Sequence, residues 1–133
     1  MSHEESSRVA QALLSRLGAG ADEVAELFSP DLDWNIPGDS GAFPWIGRRT
    51  GRAAASDFIR HLRELMEPLR FEVHEVLTSE STAVILGDLA SRSVRTGKTV
   101  ETAFAIVLTV SGNQISRFLM LEDSFAVSRA AKS

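Results

Sequence analysis

Apolar and polar positions along this chain change period about halfway, from a helical repeat near 3.6 to a strand repeat of two. In the first half Val9, Ala10, Leu13, Leu14 and Leu17 recur at helical spacing, with Ser2, Ser6 or Ser7 as caps and Gly18 as a stop. A second short helix follows Gly20. It sets Val24, Leu27 and Phe28 against Asp22, Glu23 and Glu26, and Pro30 closes it. Leu32, Trp34 and Ile36 alternate with Asp31, Asp33 and Asn35, which predicts a short strand. Residues 37–51 read as a long loop rich in Gly, Pro and Arg, of the kind that forms lids and binding loops. Ala55, Phe58, Ile59, Leu62, Leu65 and Met66 then make the stripe of a third helix, which Pro68 ends.

From there the spacing predicts strands over 69–78, 82–95, 99–110 and 114–127. The turns between them are three residues long, so neighbouring strands must run antiparallel. Helix, helix, strand, helix and a four-strand meander predict one α+β domain over residues 1–133, its helices packed on one face of a curved antiparallel sheet.

Composition narrows the chemistry. The 133 residues are 44% hydrophobic and 24% charged, enough apolar material for a self-sufficient core. The absence of cysteine removes disulfides, thiol nucleophiles and iron–sulfur clusters, and there is no tyrosine. Fourteen basic against eighteen acidic residues give a net charge of −4, so no basic footprint points to nucleic acid. The polar, acidic N-terminus is unlike a signal peptide, and the longest apolar run, residues 103–110, is far short of the roughly twenty residues of a membrane helix. The expectation is a soluble, cytoplasmic protein without membrane or nucleic-acid partners. No His, Asp and Glu have metal-ligand spacing, and Gly18-x-Gly20 lacks the strand and third glycine of a dinucleotide site, so neither metal nor cofactor is predicted. His61 reads as one half of a surface helix pair with Asp57, four positions before it, and His74 as a satisfied or exposed strand histidine. Arg48, Arg49 and Arg52 read as solvated, with an anion at the pocket mouth as the alternative.

Several motifs occur in a telling order: Asp22 opening the second helix, Phe28-Ser-Pro-Asp-Leu-Asp-Trp34 running into Pro37-Gly38, and Gly47-Arg-Arg-Thr-Gly51-Arg leading into the third helix. Gly112-Asn-Gln-Ile115 and Asp123 follow in the last hairpin. Over about residues 7–127 the chain resembles the nuclear-transport-factor-2-like superfamily, and within it the SnoaL-like and ketosteroid-isomerase-like small proteins. The resemblance implies a cone in which the curved sheet wraps the helices and leaves a blind apolar pocket. It implies no single reaction, because the superfold carries isomerases, cyclases, epoxide hydrolases, dehydratases and plain binders. Ketosteroid isomerase uses a carboxylate base and an oxyanion hole of a tyrosine and a protonated aspartic acid. Those positions fall here on Ile36, near Ala12 and on Ala105. In the limonene-epoxide-hydrolase pattern one aspartate falls on Met120, and the arginine–aspartate pair falls near Asp88 and Ala90. Neither catalytic set is complete.

Strand alternation supplies a candidate pocket. Small side chains leave volume, so the face of strand 99–110 carrying Ala103 and Ala105 is expected to border the cavity. Pairing Ala105 with Met120 across the Gly112-Asn113 turn adds Phe118, Met120 and Glu122. The preceding strand adds Leu86, Asp88, Ala90 and Arg92. Trp34 and Ile36 close a wall, Phe58 and Leu62 the floor, and Trp45 the mouth. Asp88 is the candidate proton carrier, since burial among apolar neighbours raises a carboxyl into the range of a general acid or base; ion pairing with Arg92 or Arg95 is the alternative. Glu122 is expected nearer a solvated rim. Two functions stay open: a cofactor-free isomerase, cyclase or hydratase acting on a hydrophobic steroid-, polyketide- or terpenoid-like metabolite, or a non-catalytic carrier or sensor of such a ligand.

The opposite face of the same strands carries Phe104, Ile106, Leu108, Leu119 and Leu121, too apolar for a solvated sheet face. It predicts a homodimer paired through that surface.

Overall fold

A computed structural model describes residues 3–132. The chain forms helix α1 (His3–Arg16), short helix α2 (Ala21–Ala25), strands β1 (Phe28–Ile36) and β2 (Gly47–Thr50), and helix α3 (Ala53–Leu65). Strands β3 (Met66–Thr78), β4 (Thr82–Ser93), β5 (Thr99–Ser111) and β6 (Gln114–Glu122) follow, and helix α4 (Ser124–Ala131) ends the fold. This is the predicted α+β order with two additions. The six strands make one curved, unclosed sheet in the order β2-β1-β6-β5-β4-β3. All pairs are antiparallel except β1 with β6, which run parallel.

The first addition is β2, inside the segment read as loop. Arg48 and Arg49 pair with Asn35 and Trp34 on β1. Gly51, at φ +97°, turns β2 into α3 while its N–H donates to the Leu32 carbonyl at 2.8 Å. A four-residue edge strand of Gly, Arg and Thr has no apolar alternation, so nothing local announces it. The second addition is α4, in the segment expected to extend the last strand. Asp123 caps it, its side chain accepting a hydrogen bond from the Ala126 N–H at 3.1 Å. Val127, Ala130 and Ala131 form its buried face. The Asp-Ser start and this three-to-four spacing were the available signal.

Helix α1 lies on β3, β4 and β5, and α3 on β1, β2 and β3, so both sit within the concave face. Of the proposed α1 caps, Ser6 and Ser7 lie inside the helix and Ser2 lies outside the described residues. Ser6 is instead wholly buried and donates to the Ser79 carbonyl at 2.7 Å, fastening α1 to the β3–β4 turn. The stripe predicted for α3 is buried at Ala55 and Ile59, with Phe58, Leu62 and Leu65 packed beside them.

One irregularity determines which face each strand presents. From the hairpin turn Ser111 pairs with Gln114 and Val110 with Ile115, but the register then shifts and Thr109 pairs with Arg117. The bulge leaves Ser116 as an extra residue, so Met120 stands opposite Ile106 and Ala105 opposite Leu121. Cross-strand partners share a face. Phe104, Ile106 and Leu108 therefore turn into the core with Phe118 and Met120, at no more than 7% exposure for the three β5 residues. Ala103 and Ala105 turn outward. This reverses the face expected for β5, and the expected dimer patch loses Phe104, Ile106 and Leu108 to the core.

Candidate functional site

Between the concave sheet and the helices lies a cavity of about 440 Å³. Its buried wall is aromatic at one end. Trp34 stacks on Phe118 with ring centroids 4.3 Å apart, Phe43 stacks on Trp45 at 4.8 Å, and Phe58 meets both tryptophans at a tilt or edge. Burial of Trp34 stabilises the fold by about 2–3 kcal/mol. Its indole N–H donates to the Trp45 carbonyl at 3.3 Å, which ties β1 to the loop before β2. The exposed lining residues Gly18, Arg63, Pro68 and Phe71 mark the mouth, between the α1–α2 turn, the end of α3 and the start of β3.

Eight residues proposed from the sequence line this cavity: Trp34, Ile36, Trp45, Phe58, Leu62, Phe118, Met120 and Glu122. Trp45 sits in the wall, 6% exposed, rather than at the mouth. Leu86, Asp88, Ala90 and Ala105 do not line it, nor does Arg92. Leu86 pairs with Ala105 and Asp88 with Ala103, so the bulge that turned Ala105 outward took this whole group to the convex face. Alternation of large and small residues in β5 was the overlooked signal: bulky side chains seek the core when the face opposite them is alanine.

Asp88 is consequently no desolvated acid. His74 Nε2 donates to its Oδ2 at 2.5 Å and Arg70 Nε to its Oδ1 at 2.9 Å. These bonds, to His74 first and Arg70 second, hold the Asp88 carboxyl below the usual aspartate range. Arg70 also meets Glu72 at 3.4 Å and Glu101 at 3.8 Å, the second contact bridging the strand position of Ala90. His74 thus has a carboxylate partner, as expected of a satisfied strand histidine. The expected Asp57–His61 pair does not form: Asp57 on α3 pairs with Arg60 at 3.3 Å, one residue nearer, and the Nδ1 of His61 is buried without a hydrogen bond among the described residues. Arg48 rests on Asp33 at 3.3 Å, and Arg52 donates to the Phe28 carbonyl at 2.8 Å.

Glu122 takes the environment foreseen for Asp88. It ends β6 opposite Phe104, faces the cavity, and makes no hydrogen bond or ion pair among the described residues. Burial alone raises its carboxyl from the ordinary 4.5 to about 7. Such a group exchanges a proton near neutral pH. The sequence reading missed the rest of the wall, notably Leu13, Leu17, Phe28, Phe43, Leu89 and Ile106, because those positions meet only through helix-on-sheet packing. Among the described residues no three His, Cys, Asp or Glu side chains gather to hold a metal. No described helix is long and apolar enough to cross a membrane.

Residues 10–118 match the SnoaL-like domain. No curated protein is significantly similar. Among solved structures, an NTF2-like protein from Burkholderia xenovorans LB400 is 22% identical with a TM-score of 0.88, covering 99% of both chains. TerC, co-crystallised with polyporic acid, is 20% identical with a TM-score of 0.79 over 97% of this chain and 99% of its own. A ketosteroid-isomerase-like protein from Catenulispora acidiphila DSM 44928, in complex with trimethylamine, is 15% identical with a TM-score of 0.68, covering 84% of this chain and 82% of its own.

Proposed function

The chain belongs to the SnoaL-like domain family, and from that premise we propose that it binds a hydrophobic small molecule in the cone, with Glu122 as the group that exchanges a proton with the ligand. The observation that carries this reading is one carboxyl, unpartnered among the described residues and raised to about 7, on the wall of a cavity of about 440 Å³ with an aromatic end. A carboxyl near pH 7 is populated as both acid and base, which suits a cofactor-independent isomerisation, cyclisation or hydration of a steroid-, polyketide- or terpenoid-like metabolite. Structures of similar fold that hold trimethylamine or polyporic acid support a small-molecule role.

Asp88 does not carry that role in this reading: its ion pairs lower its basicity, and it stands on the far side of the sheet. The second reading is a carrier or sensor without catalysis. It is favoured by the scarcity of polar partners, since among the described residues only Glu122, Ser91, Arg63 and the two indoles bring polar side-chain groups to the wall.

Both tryptophans line the cavity, so ligand entry changes intrinsic fluorescence. Titration with steroid, terpenoid and polyketide-like compounds is expected to shift or quench emission, and silence across all three classes would refute the binding role. Turnover lost in Glu122→Gln, with ligand binding kept, selects the enzyme; binding without turnover in the native protein selects the carrier.

The dimer is proposed through a corrected convex face carrying Val84, Leu86, Ala105, Val107, Leu119 and Leu121. These are half-buried or exposed, Leu121 at 45%. A second copy would cover an apolar surface that a solvated sheet does not ordinarily present.

A further inference from the structure

One charge facing the cavity has no partner. Glu122 brings a carboxylate inside, and among the described residues no cation pairs with it. Arg63 Nη2 donates to the Leu17 carbonyl at 3.1 Å and to the Ala19 carbonyl, closing the end of α1. Arg70 is committed to Asp88, Glu72 and Glu101. The indole N–H of Trp34 is spent on the Trp45 carbonyl. What remains is neutral: the Ser91 hydroxyl and the Trp45 N–H, neither hydrogen-bonded among the described residues. On the same face as Glu122, Met120 offers only a thioether, and Phe104 opposite offers only hydrocarbon.

Three ligand charges can be weighed against that wall. An anion adds like charge beside Glu122. A neutral carbonyl compound either leaves the ionised carboxylate unpaired or requires Glu122 to keep its proton. An ammonium cancels the charge and gives Glu122 the ionic partner it lacks, in a desolvated setting that strengthens such pairing. Aromatic ring faces favour a cation further, as do soft thioether lone pairs.

We infer that the cavity selects a lipophilic amine in its protonated form, its nitrogen on the Glu122 carboxylate and its hydrocarbon body against the aromatic wall of Trp34, Phe58 and Phe118. This rests on the binding role proposed above and names its ligand class.

Calorimetry with three isosteric probes tests it: phenylbutyl dimethylamine, phenylbutyl methyl ketone and phenylbutyl carboxylate. At pH 7.5 the amine is expected to bind about tenfold more tightly than the ketone, a difference of about 1.4 kcal/mol, and the carboxylate more weakly than either. In Glu122→Gln, which keeps the shape and removes the charge, that preference disappears while the ketone affinity holds. A melting curve as sharp as the native one shows that this variant is folded. Equal binding of amine and ketone, or an amine preference that survives Glu122→Gln, overturns the ammonium assignment and leaves the cavity role standing. Failure of all three probes to bind overturns both.

Discussion

Asp88 and Glu122 project from opposite faces of one sheet, and their surroundings drive them in opposite directions. On the convex face Asp88 is met by a histidine and an arginine, and its carboxyl is held below the ordinary range. On the concave face Glu122 meets Phe104, Met120 and empty volume, and burial lifts it to about 7. Ion pairing makes a surface acid a better anion and a worse base; desolvation makes a buried acid a proton exchanger. The contrast teaches that residue type and sequence neighbours do not distinguish a desolvated carboxyl from an ion-paired one. Both acids sit in alternating strands among alanine, leucine and phenylalanine. The face decides, and a single bulged residue, Ser116, puts the two acids on opposite faces.

The strongest way to break this comparison is to place a charge on each face. Leu108 is wholly buried in the concave core, so Leu108→Lys puts an unpaired ammonium where no partner exists. A loss of about 4 kcal/mol or more is expected, seen as a chain that is unfolded or barely folded by circular dichroism. A melting temperature near that of the native protein would mean that β5 faces the other way.

Glu122 gives the next largest effect, and its sign is opposite to that of most carboxylates. Its folded pKa lies above its unfolded one, so between about 4.5 and 7 the folded state holds more proton and stability falls as pH rises. Well above pH 7 the full penalty of the desolvated anion is present, about 3 kcal/mol for a displacement of this size. Glu122→Gln is therefore expected to melt higher than the native protein at pH 8 and about equally at pH 4.5. Denaturant titrations at the two pH values check it, and parallel pH profiles for the two proteins would refute a buried, unpaired Glu122.

Leu121→Lys is the convex counterpart of the Leu108 change. Leu121 is 45% exposed, so the folded monomer is expected to change by no more than about 0.5 kcal/mol. If two copies pair through this face, sedimentation should show the native assembly at twice 14.5 kDa and the variant at 14.5 kDa. A native protein that sediments at 14.5 kDa removes the dimer.

The smallest effect belongs to Asp88. Its depressed pKa stabilises the fold above the ordinary aspartate value of 3.8, and that contribution is lost as pH falls through the lowered value. Asp88→Asn should lower the melting temperature slightly at neutral pH, less still in strong acid, and leave ligand fluorescence untouched. A variant that folds but no longer binds would return Asp88 to the site.

Periodicity was enough for the α+β class, the helices α1 and α3, the hairpins from β3 to β6, and a wall containing Trp34, Ile36, Phe58 and Phe118. These follow from spacings of 3.6 and two, which act within one element and need no knowledge of its neighbours. β2 escaped because its pairing with β1 rests on backbone hydrogen bonds, which Gly, Arg, Arg and Thr do not advertise. α4 carried a readable cap at Asp123 but was overrun by the alternation before it. The roles of Asp88 and Glu122 could not be assigned locally. Alternation says which residues share a face, and it grouped Leu86, Asp88 and Ala105 correctly. Which of the two faces meets the helices depended on the register of β5 against β6, and one bulge between Thr109 and Val110 shifted it by a residue. A strand's period is two, so a shift of one moves every side chain to the other side. Only helices packing against the larger side chains, Phe104, Ile106 and Leu108, select between the alternatives, because burying them removes far more apolar surface from water than burying alanine does.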